Sequence, residues 1–228
     1  MRQIGLDARL MGIAQMLGKC DCVADIGTDH GRLGAYLLQR DLCGRVQFLD
    51  VSSDSLDKAR ALIARMGLLE RASFGVGDGA AAMTEDADGV VIAGMGGQLI
   101  AQIVERGIAR LRGAKLVLQP NVAQRLLRQR LSQLGFMIEE ERLVKAGRRY
   151  YIMMGAAAGE AQYTEQELIV GPKLLAERPA LLKEYARRQL DITKGALAGA
   201  MVGGAAWADE LHAEVEAWEA IVDESGEG

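Results

Sequence analysis

The chain has 228 residues, half of them apolar and a quarter charged, which excludes a disordered protein and leaves room for one full domain plus a small accessory one. The net charge of −4 is unevenly spread, −3 over residues 1–101, +7 over 102–150 and −8 over 151–228, so a uniformly basic nucleic-acid coat is excluded while a basic zone is not. The longest uncharged runs, 89–104 and 195–208, are glycine-rich and too short to span a bilayer, and the N-terminal MRQIGLDARL lacks the apolar core of a secretion signal.

Leu6, Leu10, Ile13, Ala14 and Leu17 recur at helical spacing and predict a helix over 5–18. Residues 22–27 (CVADIG) form a short apolar run ending in glycine, the pattern of a buried strand. A helix over 31–40 follows, then a strand over 45–51 (RVQFLDV) and a helix to about Met66 that Ser53 or Asp54 can cap. Further strands are expected over 73–78 (SFGVGD), 89–95 (GVVIAGM) and 115–119 (KLVLQ, stopped by Pro120), with helices over 97–111 and 122–134. Residues 136–144 and 149–154 are apolar runs joined by a Lys-Ala-Gly turn, an antiparallel hairpin. Helices are expected over 165–177 and 181–195, separated by Pro179. Trp207, Leu211, Val215, Trp218 and Val222 share one face of a last helix, which suits packing in a helical hairpin or short coiled coil.

Repeated strand-then-helix units require right-handed crossovers, and so an α/β fold with a mostly parallel sheet covered by helices on both faces. Residues 1–158 are expected to form this domain and 159–228 a helical one. In such sheets ligands sit beyond the carboxyl ends of the strands. Four successive strand ends here carry glycines and acids: Asp25, Gly27, Asp29, His30 and Gly31; Asp50; Gly77, Asp78 and Gly79; and Ala93, Gly94, Met95, Gly96 and Gly97.

The first of these loops departs from the dinucleotide fingerprint, because Asp29 stands where the central glycine would be. A carboxylate there repels a pyrophosphate by about 4 kcal/mol at ~4 Å and an effective dielectric of 20. This disfavours NAD, FAD and nucleoside triphosphates, and no Walker pattern is present. S-adenosyl-L-methionine, which has an adenosine, no phosphate and a positive charge, suits the loop. Asp50, 23 residues after Gly27, is placed to accept the ribose hydroxyls, Asp78 to accept from the adenine amino group, and Asp25 to brace the turn or meet the methionine ammonium. Taken singly, Asp50 or Asp78 reads equally well as a helix cap or turn residue. Cys20, Cys22 and Cys43 lack metal-site spacing and read as free thiols of a reducing cytoplasm, and two histidines, His30 and His212, make no multi-histidine metal site.

VADIGTDHGRL, LDVSSDSLDKA, GVGDGA, VIAGMGG and LVLQPN, in this order and spacing, resemble the TrmK family of bacterial methyltransferases. The resemblance begins at Leu6–Leu10, runs to about Pro172 and fades in the tail. It implies a class I methyltransferase (Rossmann-like) fold with a seven-stranded sheet and a C-terminal coiled coil. It also implies methyl transfer from S-adenosyl-L-methionine to N1 of adenine 22 in tRNA. By position, Asp25, Gly27, Asp29 and His30 become the first cofactor loop, Asp50 the ribose acid, Asp78 and Gly79 the adenine contact, and Ala93, Gly94 and Met95 the wall near the methyl group. Arg9 is implied to reach the methionine carboxylate. Three features depart from the family pattern: Gly31-Arg32-Leu33-Gly34, Tyr151 in place of an acid, and the strongly acidic tail.

Adenine N1 carries its lone pair in the neutral base, so the reaction needs orientation and electrostatics more than a strong base. Asp29 is assigned to stabilise the positive charge that develops on the methylated ring, and Asn121, with Gln119, to hold the adenine. The sequence Gln119-Pro120-Asn121 is also an ordinary strand-ending turn, and His30 suits a structural or cofactor hydrogen bond better than a general base. The basic zone (Arg106, Arg110, Arg112, Arg125, Arg128, Arg130, Arg142, Lys145, Arg148 and Arg149) and Lys183, Arg187, Arg188 and Lys194 of the tail are candidate contacts to tRNA phosphates. A class I methyltransferase acting on another RNA base or a small molecule, and a noncatalytic scaffold that oligomerises through the last helices, are the alternative readings. A weak homodimer is the only protein partner expected, with no membrane and no metal.

Overall fold

The computed structural model describes residues 3–203 and 208–223, so Trp207 and the last five residues of the acidic tail lie outside it. The chain divides into two compact units, Met1–Ala161 and Gln162–Gly228.

The first unit runs α1 (Ala8–Leu17), β1 (Cys20–Ile26), α2 (Arg32–Gln39), β2 (Cys43–Asp50), α3 (Ser53–Arg65), β3 (Ala72–Val76), β4 (Gly89–Met95), α4 (Gly97–Leu111), β5 (Lys115–Pro120), α5 (Gln124–Gln133), β6 (Phe136–Ala146) and β7 (Arg149–Ala158), with short 3-10 turns at Leu69–Arg71 and Gly79–Ala82. The seven strands lie in the order β3-β2-β1-β4-β5-β7-β6. β1 to β5 pair in parallel, and β7 is antiparallel to both β5 and β6. This is a doubly wound, mostly parallel sheet. Its switch point lies between β1 and β4, where the strand order reverses.

The elements follow from local chemistry. Asp7 accepts from the backbone N–H of Leu10 and starts α1 three residues later than periodicity alone suggests. Ser52, not Ser53 or Asp54, caps α3 by accepting from Ser55 N–H. The central strands have apolar middles because helices cover both faces: Val23 and Ala24 of β1, Val90 to Ile92 of β4 and Leu116 to Leu118 of β5 are almost fully buried. Ile13, Met16 and Leu17 of α1 and Leu33, Leu37 and Leu38 of α2 pack in the same core.

The second unit contains α6 (Glu165–Val170), α7 (Pro172–Glu177), α8 (Leu182–Gly203) and α9 (Ala208–Asp223). The single helix expected over 165–177 is two, because Gly171 ends α6 with a φ of 121° and Pro172 begins α7 at the position where its missing N–H costs nothing. Thr164 and Glu167 form a reciprocal capping box on α6. In α9, Val215, Ala217, Trp218 and Ile221 are buried, and Trp218 meets Tyr185 of α8 edge to face at 5.6 Å. The buried stripe is therefore used inside the unit, which removes those side chains from the oligomerisation surface that the scaffold reading requires.

Candidate active site

One open cleft of about 1580 Å³ lies beyond the carboxyl ends of β1 to β4. All eleven cofactor candidates line it: Arg9, Asp25, Gly27, Asp29, His30, Asp50, Asp78, Gly79, Ala93, Gly94 and Met95. Its volume exceeds the roughly 300–1,000 Å³ of an ordinary small-ligand pocket, which leaves space for a nucleobase beside an adenosyl compound.

The first loop turns sharply after β1. Gly27, Asp29 and Gly31 have φ of 77°, 51° and 67°, so Asp29 adopts the left-handed conformation that a glycine would take there. The turn is held from β2: Gly27 N–H donates to Leu49 O at 2.7 Å, and Asp29 N–H approaches Asp50 Oδ2 at 3.4 Å. The Asp29 carboxylate is 72% exposed and pairs with His30 Nδ1 at 2.7 Å. A Cβ on Gly27 would lie 2.1 Å from Met95 Cε, so the Met95 side chain rests directly on this turn. Asp50 also accepts from Ser52 N–H at 2.9 Å.

Asp25 is 6% exposed and accepts from Thr28 Oγ1 at 2.7 Å. Burial pushes its carboxyl from the usual 3.8 up to about 6, with nearby Asp50 adding to the rise and the Thr28 bond opposing it. Because the folded value lies above the ordinary one, the native chain holds this proton more tightly than the unfolded chain does. The stabilisation is full below pH 3.8 and is lost as pH rises through 6. Urea unfolding of wild type and Asp25→Asn across pH 4–7 is expected to show the wild type losing on the order of 3 kcal/mol relative to the variant over that window. A pH-independent difference would contradict this.

Gln119, Pro120 and Asn121 do not line the cleft but brace its wall. Asn121 N–H donates to Met95 O and Asn121 Nδ2 donates to Gly94 O, both at 2.7 Å, while Gln119 Nε2 donates to Asn121 Oδ1 at 3.1 Å. Arg9 Nη1 donates to Gln119 Oε1 at 2.9 Å, and its guanidinium lies 5.9 Å from the Tyr151 ring centre. Arg9, Gln119, Asn121 and Gly94 are thus one chain of contacts. It joins α1, β5 and the β4 bulge, where the pairing with β5 shifts between Ala93 and Met95.

Local patterns missed several lining residues. The segment Gln3–Asp7 borders the cleft, tied down by Arg32 Nη2 donating to Gly5 O at 2.6 Å, and Lys58 and Arg65 reach it from α3. The basic zone is largely spent within the fold. Arg128 is fully buried against Glu141, so it is not a phosphate contact. Arg130 pairs with Glu105, Arg142 with Glu140, and Arg106 with Asp78, while Arg110 donates to Met83 O. Lys145, Arg148 and Arg149 are exposed on the β6–β7 turn. β7 runs antiparallel to β5, so this turn stands at the same end of the sheet as the cleft.

The family model for TrmK, described as tRNA (adenine(22)-N(1))-methyltransferase, matches residues 23–220. The chain belongs to the TrmK family. It is 29% identical over 202 residues, 85% of each chain, to the tRNA (adenine(22)-N(1))-methyltransferase of Bacillus subtilis. In structure it is similar to a protein of the NADB-Rossmann superfamily from Streptococcus agalactiae, with a TM-score of 0.90, 28% identity and coverage of 97% of this chain and 99% of that one. It is also similar to Sp1610 of Streptococcus pneumoniae in complex with S-adenosyl-L-methionine, with a TM-score of 0.86, 25% identity and coverage of 96% and 100%. The expected α/β fold and TrmK membership both stand. No helix among the described residues is long and apolar enough to cross a membrane, and no cluster of three or more metal-ligating side chains occurs among them.

Proposed function

We propose that this TrmK chain transfers a methyl group from S-adenosyl-L-methionine to N1 of adenine 22 in tRNA, at the cleft beyond β1 to β4. The observation that carries the residue assignments is the convergence of acids from three consecutive strand ends, Asp25, Asp50 and Asp78, with Asp29, on one cleft. That donor set fits a cationic, phosphate-free adenosyl compound. A cation relieves the cost of ionising buried Asp25, whereas a pyrophosphate would face the exposed Asp29 carboxylate. When bound, the cofactor supplies an electrophilic methyl group. Asp50 accepts from the ribose, Asp78 beside Gly79 accepts from the adenine amino group, and Asp25 holds the turn and faces the ammonium. Arg9 faces the carboxylate, and Ala93, Gly94 and Met95 wall the methyl end.

N1 lies on the Watson–Crick edge, so the target base must leave its pair to react. Asp29, exposed and steered by His30, stabilises the charge that develops on the ring, and Asn121 orients the base through the Gly94–Met95 wall that it braces. The exposed β6–β7 turn meets tRNA phosphates. Residues 1–158 form the methyltransferase domain and 159–228 the helical domain, and the three free thiols suit a cytoplasmic setting.

Asp29→Asn keeps the size and backbone of the loop but removes the charge. Single-turnover methylation of tRNA at saturating cofactor is expected to slow by about 10²-fold, in the range of a lost electrostatic stabiliser. Cofactor affinity is expected to stay within about threefold. A wild-type rate in this variant would remove Asp29 from the reaction.

A further inference from the structure

We infer that Arg106 is a positioning residue for the cofactor, holding the Asp78 carboxylate in place for the adenine amino group, and not a contact for tRNA phosphate. The inference rests on the cofactor reading of Asp78 given above.

One stripe of α4 clasps the segment that follows β3. Arg106 Nη1 donates to Asp78 Oδ2. A Cβ on Gly79 would lie 2.9 Å from Ile103 Cγ2, and one on Gly107 would lie 2.6 Å from Ala80 Cβ, so helix and segment are in close contact. Arg110 Nη1 donates to Met83 O at 3.0 Å. Residues 103, 106, 107 and 110 recur every three or four positions and therefore share a helix face. That face is committed to the adenine end of the cleft.

The guanidinium of Arg106 is itself fixed, because its Nε donates to Gln102 O at 3.2 Å. With Oδ2 accepting from the arginine, Asp78 keeps both lone pairs of Oδ1 for a ligand, in a carboxylate plane set by the arginine. The pairing also offsets one negative charge in a cleft that already contains Asp25, Asp29 and Asp50. Both side chains are 55% exposed, so a ligand reaches the pair without opening the core.

The test is a double-mutant cycle read by calorimetry with S-adenosyl-L-homocysteine, which binds without turnover, alongside the KM for tRNA. Arg106→Leu is expected to weaken S-adenosyl-L-homocysteine and S-adenosyl-L-methionine equally, by about tenfold, with Arg106→Lys recovering most of the loss. In an Asp78→Asn background, Arg106→Leu is expected to add less than twofold, because the arginine acts through that carboxylate. The KM for tRNA and its salt dependence are expected to move less than twofold. Additive losses in the cycle would mean that Arg106 only packs the helix, and would overturn the inference. Unchanged cofactor affinity with a raised tRNA KM and a shallower salt dependence would assign Arg106 to phosphate and overturn it as well. In both cases a sensitive Asp78→Asn leaves the cofactor reading standing. An Asp78→Asn variant that binds like wild type would overturn the adenine assignment and the inference together.

Discussion

Replacing Arg128 with methionine while Glu141 stays is expected to lower the unfolding free energy by about 3–5 kcal/mol, because it removes the positive charge that faces a carboxylate in the core. Both side chains are fully buried, and Arg128 Nε donates to Glu141 Oε1 at 2.8 Å. The pair exists because of a bulge. Along β6, Phe136 and Ile138 face inward, the register against β7 then shifts between Ile138 and Glu140, and inward positions resume at Glu141 and Leu143. The extra residue changes the phase of the strand and turns Glu141 into the core, under the face of α5 that carries Leu127, Arg128 and Leu131. The double variant Arg128→Met, Glu141→Leu is expected to recover most of the loss, since a well-packed apolar pair of similar volume removes both desolvation costs. Urea midpoints of the wild type, the two single variants and the double variant test this. Single variants within 1 kcal/mol of wild type would contradict it.

Gly97→Ala is expected to slow methylation of tRNA by about 10²-fold at saturating cofactor. A Cβ at Gly97 would lie 2.4 Å from Ala123 O and 2.9 Å from Val122 O, and both of these are backbone atoms. Gly97 N–H already donates to Val122 O at 2.9 Å, so the segment cannot slide aside without losing that bond. The same segment carries Asn121, held to Met95 O and Gly94 O, and Ala123 at a left-handed φ of 59°. Added volume at Gly97 therefore displaces the group proposed to orient the target base, and displacements near 1 Å cost about this factor. The acids of β1 to β3 are untouched, so cofactor affinity is expected to change much less than turnover. A variant with normal turnover would show that the geometry of this loop does not limit the reaction.

The strands and the strand-end loops were legible because buried parallel strands have apolar middles and stop at glycine, aspartate or, in β5, proline, signals that lie within a few residues of one another. The β6–β7 hairpin was legible from its turn. The insertion of β7 between β5 and β6 was not, since strand order depends on which edges meet and no local pattern records it. The break at Gly171–Pro172 did carry a signal, a glycine followed by a proline, and reading through it merged α6 with α7. The arginines misled for a different reason. A charge on a helix with apolar neighbours looks solvated, yet Arg128 finds Glu141 thirteen residues away across a bulge, and Arg106 finds Asp78 across 28 residues. The contact of Arg9 with Gln119, 110 residues apart, likewise follows only from the folded sheet.

The proposed reaction is methyl transfer to one ring nitrogen of one nucleotide. Its most direct test is transfer of labelled methyl from S-adenosyl-L-methionine to unmodified tRNA transcripts that carry adenine or guanine at position 22, followed by mapping of the product. The expected product carries a single methyl group on N1 of adenine 22, and the guanine transcript carries none. Methylation at N6, at a guanine, or to the same extent in both transcripts would contradict it.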